Sequence, residues 1–189
     1  MSHIIDNFDA RLGEKIEAER TRRNWSLRDL AERAAVSRAM ISKIERGQVS
    51  ATANLLGRLA AAFGLSLSQL MLMTEAGADR LSRAADQAIW RDPETGYLRR
   101  QLSPARSGSR LELAEIDLPP GKAVAFPASA YQGLDHQILV LTGRLTFTHG
   151  DEVFVLDAGD CLHLGPAADC EYRNAGREAC RYLVVLTRG

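Results

Sequence analysis

The sequence offers little that would take it out of a reducing, aqueous compartment. Its opening stretch, MSHIIDNFDA, lacks a basic segment leading into an apolar one, so no secretory signal is expected. No apolar run approaches the ~18 residues of a membrane span, and LGRLAAAFGL carries Arg58 in its middle. The cysteines number three, an odd count that makes no disulfide framework. Net charge is zero, so the chain as a whole gives no pull toward an acidic partner. With 46% hydrophobic and 25% charged residues in 189, the expectation is a globular cytoplasmic protein of one or two domains, without a membrane partner.

Charge is nonetheless unevenly placed. Between Arg20 and Arg46 there are eight basic residues against three acidic ones, a local excess that suits a phosphate backbone or a solvated helical surface.

Two hydrophobic periods divide the chain. Phe8, Leu12 and Ile16 recur at helical spacing, as do Leu27, Leu30 and Ala31. Ser26-Leu27-Arg28-Asp29 and Ser66-Leu67-Ser68-Gln69 each read as a capping box. Gly47 and Gly64 suit left-handed helix ends. Five helices are expected near 8–22, 26–34, 37–46, 52–63 and 66–73. Residues 74–88 are polar and alanine-rich, the composition of a linker. From Ile89 the period becomes two, with turn signals at Asp92-Pro93, Pro119-Pro120-Gly121, Gly143, His149-Gly150-Asp151, Ala158-Gly159-Asp160 and Ala175-Gly176, as in a sandwich or barrel. The fold class expected is α+β in two domains: an all-α domain at 1–73, a linker at 74–88 and an all-β domain at 89–189.

Within SLRDLAERAAVSRAMISKIERG, one helix ends near Ala34, a tight turn follows at Ala35-Val36, and Ser37 caps a second helix. Val36, Ile41 and Ile44 are apolar where that second helix sits on a core. Arg38, Ala39, Ser42, Lys43 and Arg46 remain on its free face, where Arg or Lys can reach guanine edges in a major groove. Through Leu12-Gly13, Ile16, Ser26, Leu30-Ala31, Val36-Ser37, Ile41-Ser42, Ile44-Glu45, Gly47, Leu59 and Leu65, residues 8–73 resemble the lambda-repressor/Cro-like (XRE) helix-turn-helix family. Carried over by position, the resemblance implies base reading by Arg38, Ala39 and Lys43. It implies phosphate contacts from Arg28, Ser37, Ser42 and Gln48. Trp25 is expected to pack rather than stack on bases. The implied partner is double-stranded operator DNA, bound by a homodimer on a two-fold repeated site.

The second half, through HQILVLTGRLTF, EVFVLDAGDCLHLGP and CEYRN, resembles a cupin, a double-stranded β-helix barrel around a pocket. Gly121 and Gly143 can end the first cupin motif, but its paired histidines then fall on Pro127 and Ser129 and its glutamate on His136. In the second motif Gly159-Asp160 and Asn174 match, while the histidine position is Cys170. Such ligands suit iron or manganese, and most are missing here. Alternation puts Cys161 and His163 on one face and Leu162 and Leu164 on the other. If the first face is inward, a soft Cys/His site built from His136, His163 and Cys170 is conceivable; otherwise the pocket is metal-free. No ligand spacing matches a zinc motif, and no cofactor is expected.

Candidates for a small-molecule effector pocket are Arg99, Tyr131, Gln132, His136, Cys161, His163 and Cys170, with Tyr97, Arg100 and Tyr182 beside them. Arg99 and Arg100 should face opposite ways, and either could neutralise an anionic ligand. A redox role for Cys161, Cys170 or Cys180 would need a thiolate near positive charge. The expected function is a transcriptional regulator, a repressor, whose barrel senses an effector. The alternatives are a metal-dependent cupin dioxygenase or isomerase tethered to DNA, and a barrel that only dimerises.

Overall fold

The computed structural model of the chain describes residues 3–74, 80–104 and 109–188. Residues 75–79 of the expected linker and the domain ends at 1–2 and 189 lie outside the described residues. Five helices come first: α1 (His3–Arg22), α2 (Leu27–Ala34), α3 (Arg38–Glu45), α4 (Ala53–Ala62) and α5 (Leu67–Leu72). The first begins at His3 rather than at residue 8, since no proline or glycine interrupts residues 3–7.

The other helices start where a side chain satisfies free N–H groups. Both capping boxes form: Ser26 Oγ accepts from Asp29 N–H at 3.2 Å while the Asp29 carboxylate accepts from Ser26 N–H at 2.7 Å, and Ser66 with Gln69 repeats the exchange. Ser37 caps α3 by accepting from Met40 N–H, and Thr52 caps α4 by accepting from Leu55 N–H. Gly47, at φ +64°, closes α3. Leu12, Ile16, Leu30, Ile41, Leu56, Leu59 and Leu70 form the interior of this half.

The turn between α2 and α3 is less conventional. Ala35 holds the left-handed conformation, φ 50° and ψ 42°, that glycine usually supplies. Arg58 of α4 holds the turn from outside, its Nε donating to Ala34 O at 3.0 Å and a terminal nitrogen donating to Ala35 O. Left-handed backbone costs a Cβ-bearing residue about 1–2 kcal/mol. Ala35→Gly is therefore expected to raise stability by about 1 kcal/mol in urea denaturation. A variant no more stable than the parent would show that Arg58 has already relieved the strain.

Arg80 to Ala88 carry neither helix nor strand. Among the described residues ten antiparallel strands follow in two sheets. The larger runs β1 (Ile89–Arg91), β2 (Leu98–Gln101), β3 (Leu111–Leu118), β10 (Cys180–Arg188), β5 (Leu134–Thr142), β8 (Cys161–Leu164). The smaller runs β4 (Ala123–Phe126), β9 (Cys170–Arg173), β6 (Arg144–His149), β7 (Glu152–Asp157). Strict alternation along β3 buries Glu112, Ala114, Ile116 and Leu118, and Ile138, Phe147, Tyr172 and Tyr182 fill the space between the sheets. Asn174 clasps the rim, donating to Leu118 O and Glu178 O and accepting from Gly176 N–H. Among the described residues no helix is long and apolar enough to cross a membrane.

The two halves are tied through α4 and α5. Asp92, buried in the β1–β2 turn, accepts from Ala53 N–H at 2.6 Å and so supplies a carboxylate to the positive end of α4. Asn54 donates to Ala125 O at 2.8 Å, Ser66 donates to Glu112, and Arg99 donates to Ser68. At Gly57 a Cβ would come within 2.9 Å of the Phe126 ring, so only glycine lets α4 lie this close to β4.

Candidate nucleic-acid interface and barrel cavity

Packing decides which face of α3 is free. Ile41 and Ile44 are buried, and Glu45 is locked to Arg20 of α1 by two hydrogen bonds of 2.7 and 2.9 Å. Arg38, Ala39, Lys43 and Arg46 stand exposed on the other side, with Ser42 half-buried and Gln48 exposed just beyond. Arg28, Ser37, Arg38 and Ala39 surround one shallow depression where α2 and α3 begin. Two helix N-termini and two guanidinium groups thus share one surface, a combination suited to phosphate and base edges. Arg28 is held by Glu32 at 2.8 Å, an exposed, solvent-screened pair easily exchanged for a phosphate.

Residues that hold this surface from behind were not legible as such in the sequence. Arg20, Glu45 and Arg58 act through contacts many residues apart. Trp25 packs as expected: it stacks on Phe63 at 5.8 Å, with the Arg33 guanidinium 4.3 Å over its ring. The polar ties to the barrel come from α4 and α5, which leaves the exposed face of α3 open.

Inside the barrel lies a cavity of about 20 Å³ lined by Tyr97, Arg99, Ile116, Tyr131, Tyr172 and Tyr182, with Leu67 of α5 completing the wall. Behind it, His136 stacks on Tyr131 at 4.6 Å, and its Nε2 lies 3.2 Å from Tyr172 OH, which meets Tyr131 OH at 3.2 Å. His136 Nδ1 and Arg99 Nε have no hydrogen-bond partner. Burial, with the Arg99 charge nearby, pushes the His136 imidazole down to about 3, so it is neutral at physiological pH. Arg99 and Arg100 do face opposite ways: Arg99 is buried, and Arg100 lies 3.9 Å from Glu115 at the surface.

Four expected pocket residues are placed elsewhere. Cys161 and His163 point outward, because Leu162 and Leu164 take the apolar face of β8 and alternation leaves their neighbours in solvent. His163 Nε2 meets Asp135 at 2.7 Å, and Cys161 Sγ lies 3.9 Å from Gln137. Gln132 is exposed, because the 3-10 turn Ala128–Tyr131 spends its inward direction on Ala130 and the Tyr131 ring. Cys170 is buried but borders a different space, an open crevice of about 660 Å³ between the domains, shared with Arg33, Arg58, Phe126 and Asp169. Burial pushes the Cys170 thiol up to about 12 and that of Cys180 to about 11, so neither is the thiolate a redox switch requires.

The metal of the cupin family does not fit these side chains. Pro127 offers no donor, Ser129 is exposed, and His136 is flanked by Tyr131 and Tyr172 rather than by further ligands. Among the described residues no three His, Cys, Asp or Glu side chains converge.

The buried imidazole has a consequence for stability. Its folded pKa is depressed, so its contribution is full above the unfolded value of 6.5 and is lost as pH falls toward about 3. Between about pH 7.5 and 5.5 the loss is about 1.4 kcal/mol, because only the unfolded chain takes up the proton. Urea denaturation at both pH values should show this loss in the parent and not in His136→Phe. Equal pH dependence in the two would mean that the folded imidazole is protonated freely.

Known proteins share this organisation. Residues 16–70 match the Helix-turn-helix family HTH_3, and residues 114–186 match the Cupin domain family Cupin_2. The HTH-type transcriptional regulator SutR of Escherichia coli (strain K12) is 22% identical over 96% of this chain and 97% of its own length. The crystal structure of an HTH_3 family transcriptional regulator from Vibrio cholerae aligns over 97% of this chain and 99% of its own, at 21% identity and a TM-score of 0.79. A hydroxypropylphosphonic acid epoxidase from S. wedmorenis overlaps more loosely, at 15% identity over 96% of this chain and 99% of its own, with a TM-score of 0.48, too low to bear on the chemistry here. Both halves of the chain are thereby accounted for: it joins an XRE-type helix-turn-helix domain to a cupin domain.

Proposed function

We propose that this chain is a sequence-specific DNA-binding transcriptional regulator, acting as a repressor, in which α3 reads the major groove and the barrel senses a small molecule. The observation that carries this reading is α3 itself. Its apolar side is fixed by Ile41, Ile44 and the Arg20–Glu45 pair, and its opposite side presents Arg38, Ala39 and Lys43 to solvent. The likeness to the E. coli regulator, which spans both domains, supports it. Arg28, Ser37, Ser42 and Gln48 take the phosphate role, and the working division is 1–73 for DNA, 74–88 for the linker and 89–189 for sensing and dimerisation. A reader of chromosomal DNA works in the cytoplasm.

One such domain covers too few base pairs for tight specific binding, so a homodimer places two α3 helices about 34 Å apart. Val153 and Val155, exposed on the edge strand β7, offer apolar surface for that contact. A catalytic reading has less support, because Pro127 and Ser129 cannot stand in for two imidazoles. Selection of random duplexes by the full chain tests the proposal. Enrichment of a two-fold repeated motif supports it; enrichment of no sequence over bulk DNA overturns it.

A further inference from the structure

Arg99 occupies an unusual position where the two domains meet. Its side chain is 5% exposed, its terminal nitrogen donates to Ser68 on α5, and its Nε–H has no partner. It takes part in none of the ion pairs formed among the described residues. A buried guanidinium served by hydroxyl oxygens, those of Ser68 and Tyr97, is under-compensated, since a hydroxyl offers a partial charge where a carboxylate offers a full one. Arg99 is also the charged residue among those lining the barrel cavity, whose remaining walls are aromatic or aliphatic. Such walls, with one fixed cation, suit a compact apolar body carrying an anionic end.

Size adds the second constraint. About 20 Å³ holds a single water-sized group, and Leu67 of α5 forms part of the wall. Anything larger enters only as the wall opens, and Leu67 is the lining residue that the helical domain contributes. We propose that the barrel binds a small organic oxoanion, a carboxylate or sulfonate, whose charged end replaces Ser68 on Arg99 and whose body displaces Leu67. Ligand binding and docking of α5 on the barrel then exclude one another. The effector shifts the balance by its differential affinity for the undocked arrangement, and α4 and α5 carry that shift to α3. This deepens the regulator reading and rests on it.

The test uses the full chain at constant ionic strength. Acetate, propionate and benzoate are each compared with the neutral amide of the same shape, and methanesulfonate is added to separate the two head groups. Binding is read by thermal shift and calorimetry, and α5 is followed by amide hydrogen exchange. Acids should bind at least about tenfold more tightly than their amides. Arg99→Met should abolish that preference, and Ser68→Ala should tighten acid binding several-fold, because it removes the competitor for Arg99. Exchange in Leu67–Leu72 should rise with the acid. Should Arg99→Met not fold, the Ser68→Ala result decides alone, since a merely structural serine gives no gain. Equal binding of acids and amides, no binding of any probe, or unchanged or weaker acid binding by Ser68→Ala overturns the proposal. Duplex selection on the same preparation separates the two readings. Enrichment retained without acid preference overturns the oxoanion site alone; acid preference without enrichment overturns the regulator reading.

Discussion

Alanine at both Arg38 and Lys43 is expected to weaken binding to a selected operator duplex by at least about 25-fold, with little change in thermal stability. Both side chains are exposed on α3, and neither takes part in a hydrogen bond or ion pair among the described residues that would be lost from the fold. Each base contact of this kind is worth about 1–3 kcal/mol, which is roughly 5- to 150-fold, and contacts at separate base pairs add approximately. Fluorescence anisotropy against the selected duplex and a scrambled one distinguishes reading from charge. Loss confined to the selected duplex identifies base readers; equal loss on both identifies phosphate contacts. Unchanged affinity for the selected duplex would remove α3 from the interface.

The second large effect concerns the fold behind that surface. Glu45→Ala is expected to cost about 3 kcal/mol, because it leaves the half-buried Arg20 guanidinium with Trp25 O as hydrogen-bond acceptor and the exposed Glu17 carboxylate, 3.9 Å away, as its counter-charge. The pair itself is not worth that much: charges lose hydration on burial, and their attraction returns only part of it. Arg20→Leu combined with Glu45→Leu is therefore expected to lie within about 1–2 kcal/mol of the parent. Urea denaturation of the single and double variants checks both statements. A double variant as unstable as Glu45→Ala would show that the pair contributes net stability, and a mild Glu45→Ala would show that water reaches Arg20.

The contrast between these two cases mirrors what the sequence discloses. Arg38 and Lys43 are legible because a cap at Ser37 and a glycine at Gly47 bracket α3, and the spacing of Ile41 and Ile44 fixes its phase. Helix ends and the opposed directions of Arg99 and Arg100 follow from equally local rules. The barrel interior does not. Alternation along Cys161–Leu164 gives two faces but no sign for which is inward, and the sign is set by Leu162 and Leu164 packing against the body of the domain. The Cys170 position follows from a motif count, yet its side chain meets the crevice between domains because α4 lies against β4 there. Arg58 on Ala34, Arg99 on Ser68 and Asp92 on Ala53 join residues 24, 31 and 39 positions apart, and nothing local marks any of them.

That last contact ties the maturation of one domain to the synthesis of the other. The first backbone N–H of α4 is satisfied by a carboxylate that leaves the ribosome 39 residues later. Until Asp92 arrives, α4 has Thr52 at its start but lacks the buried acceptor for Ala53, and the helix that braces the turn before α3 through Arg58 remains free to fray. A nascent chain cut off before the barrel therefore carries α3 on a loosened support, and the surface proposed to hold DNA is fully braced only once the β1–β2 turn has been made.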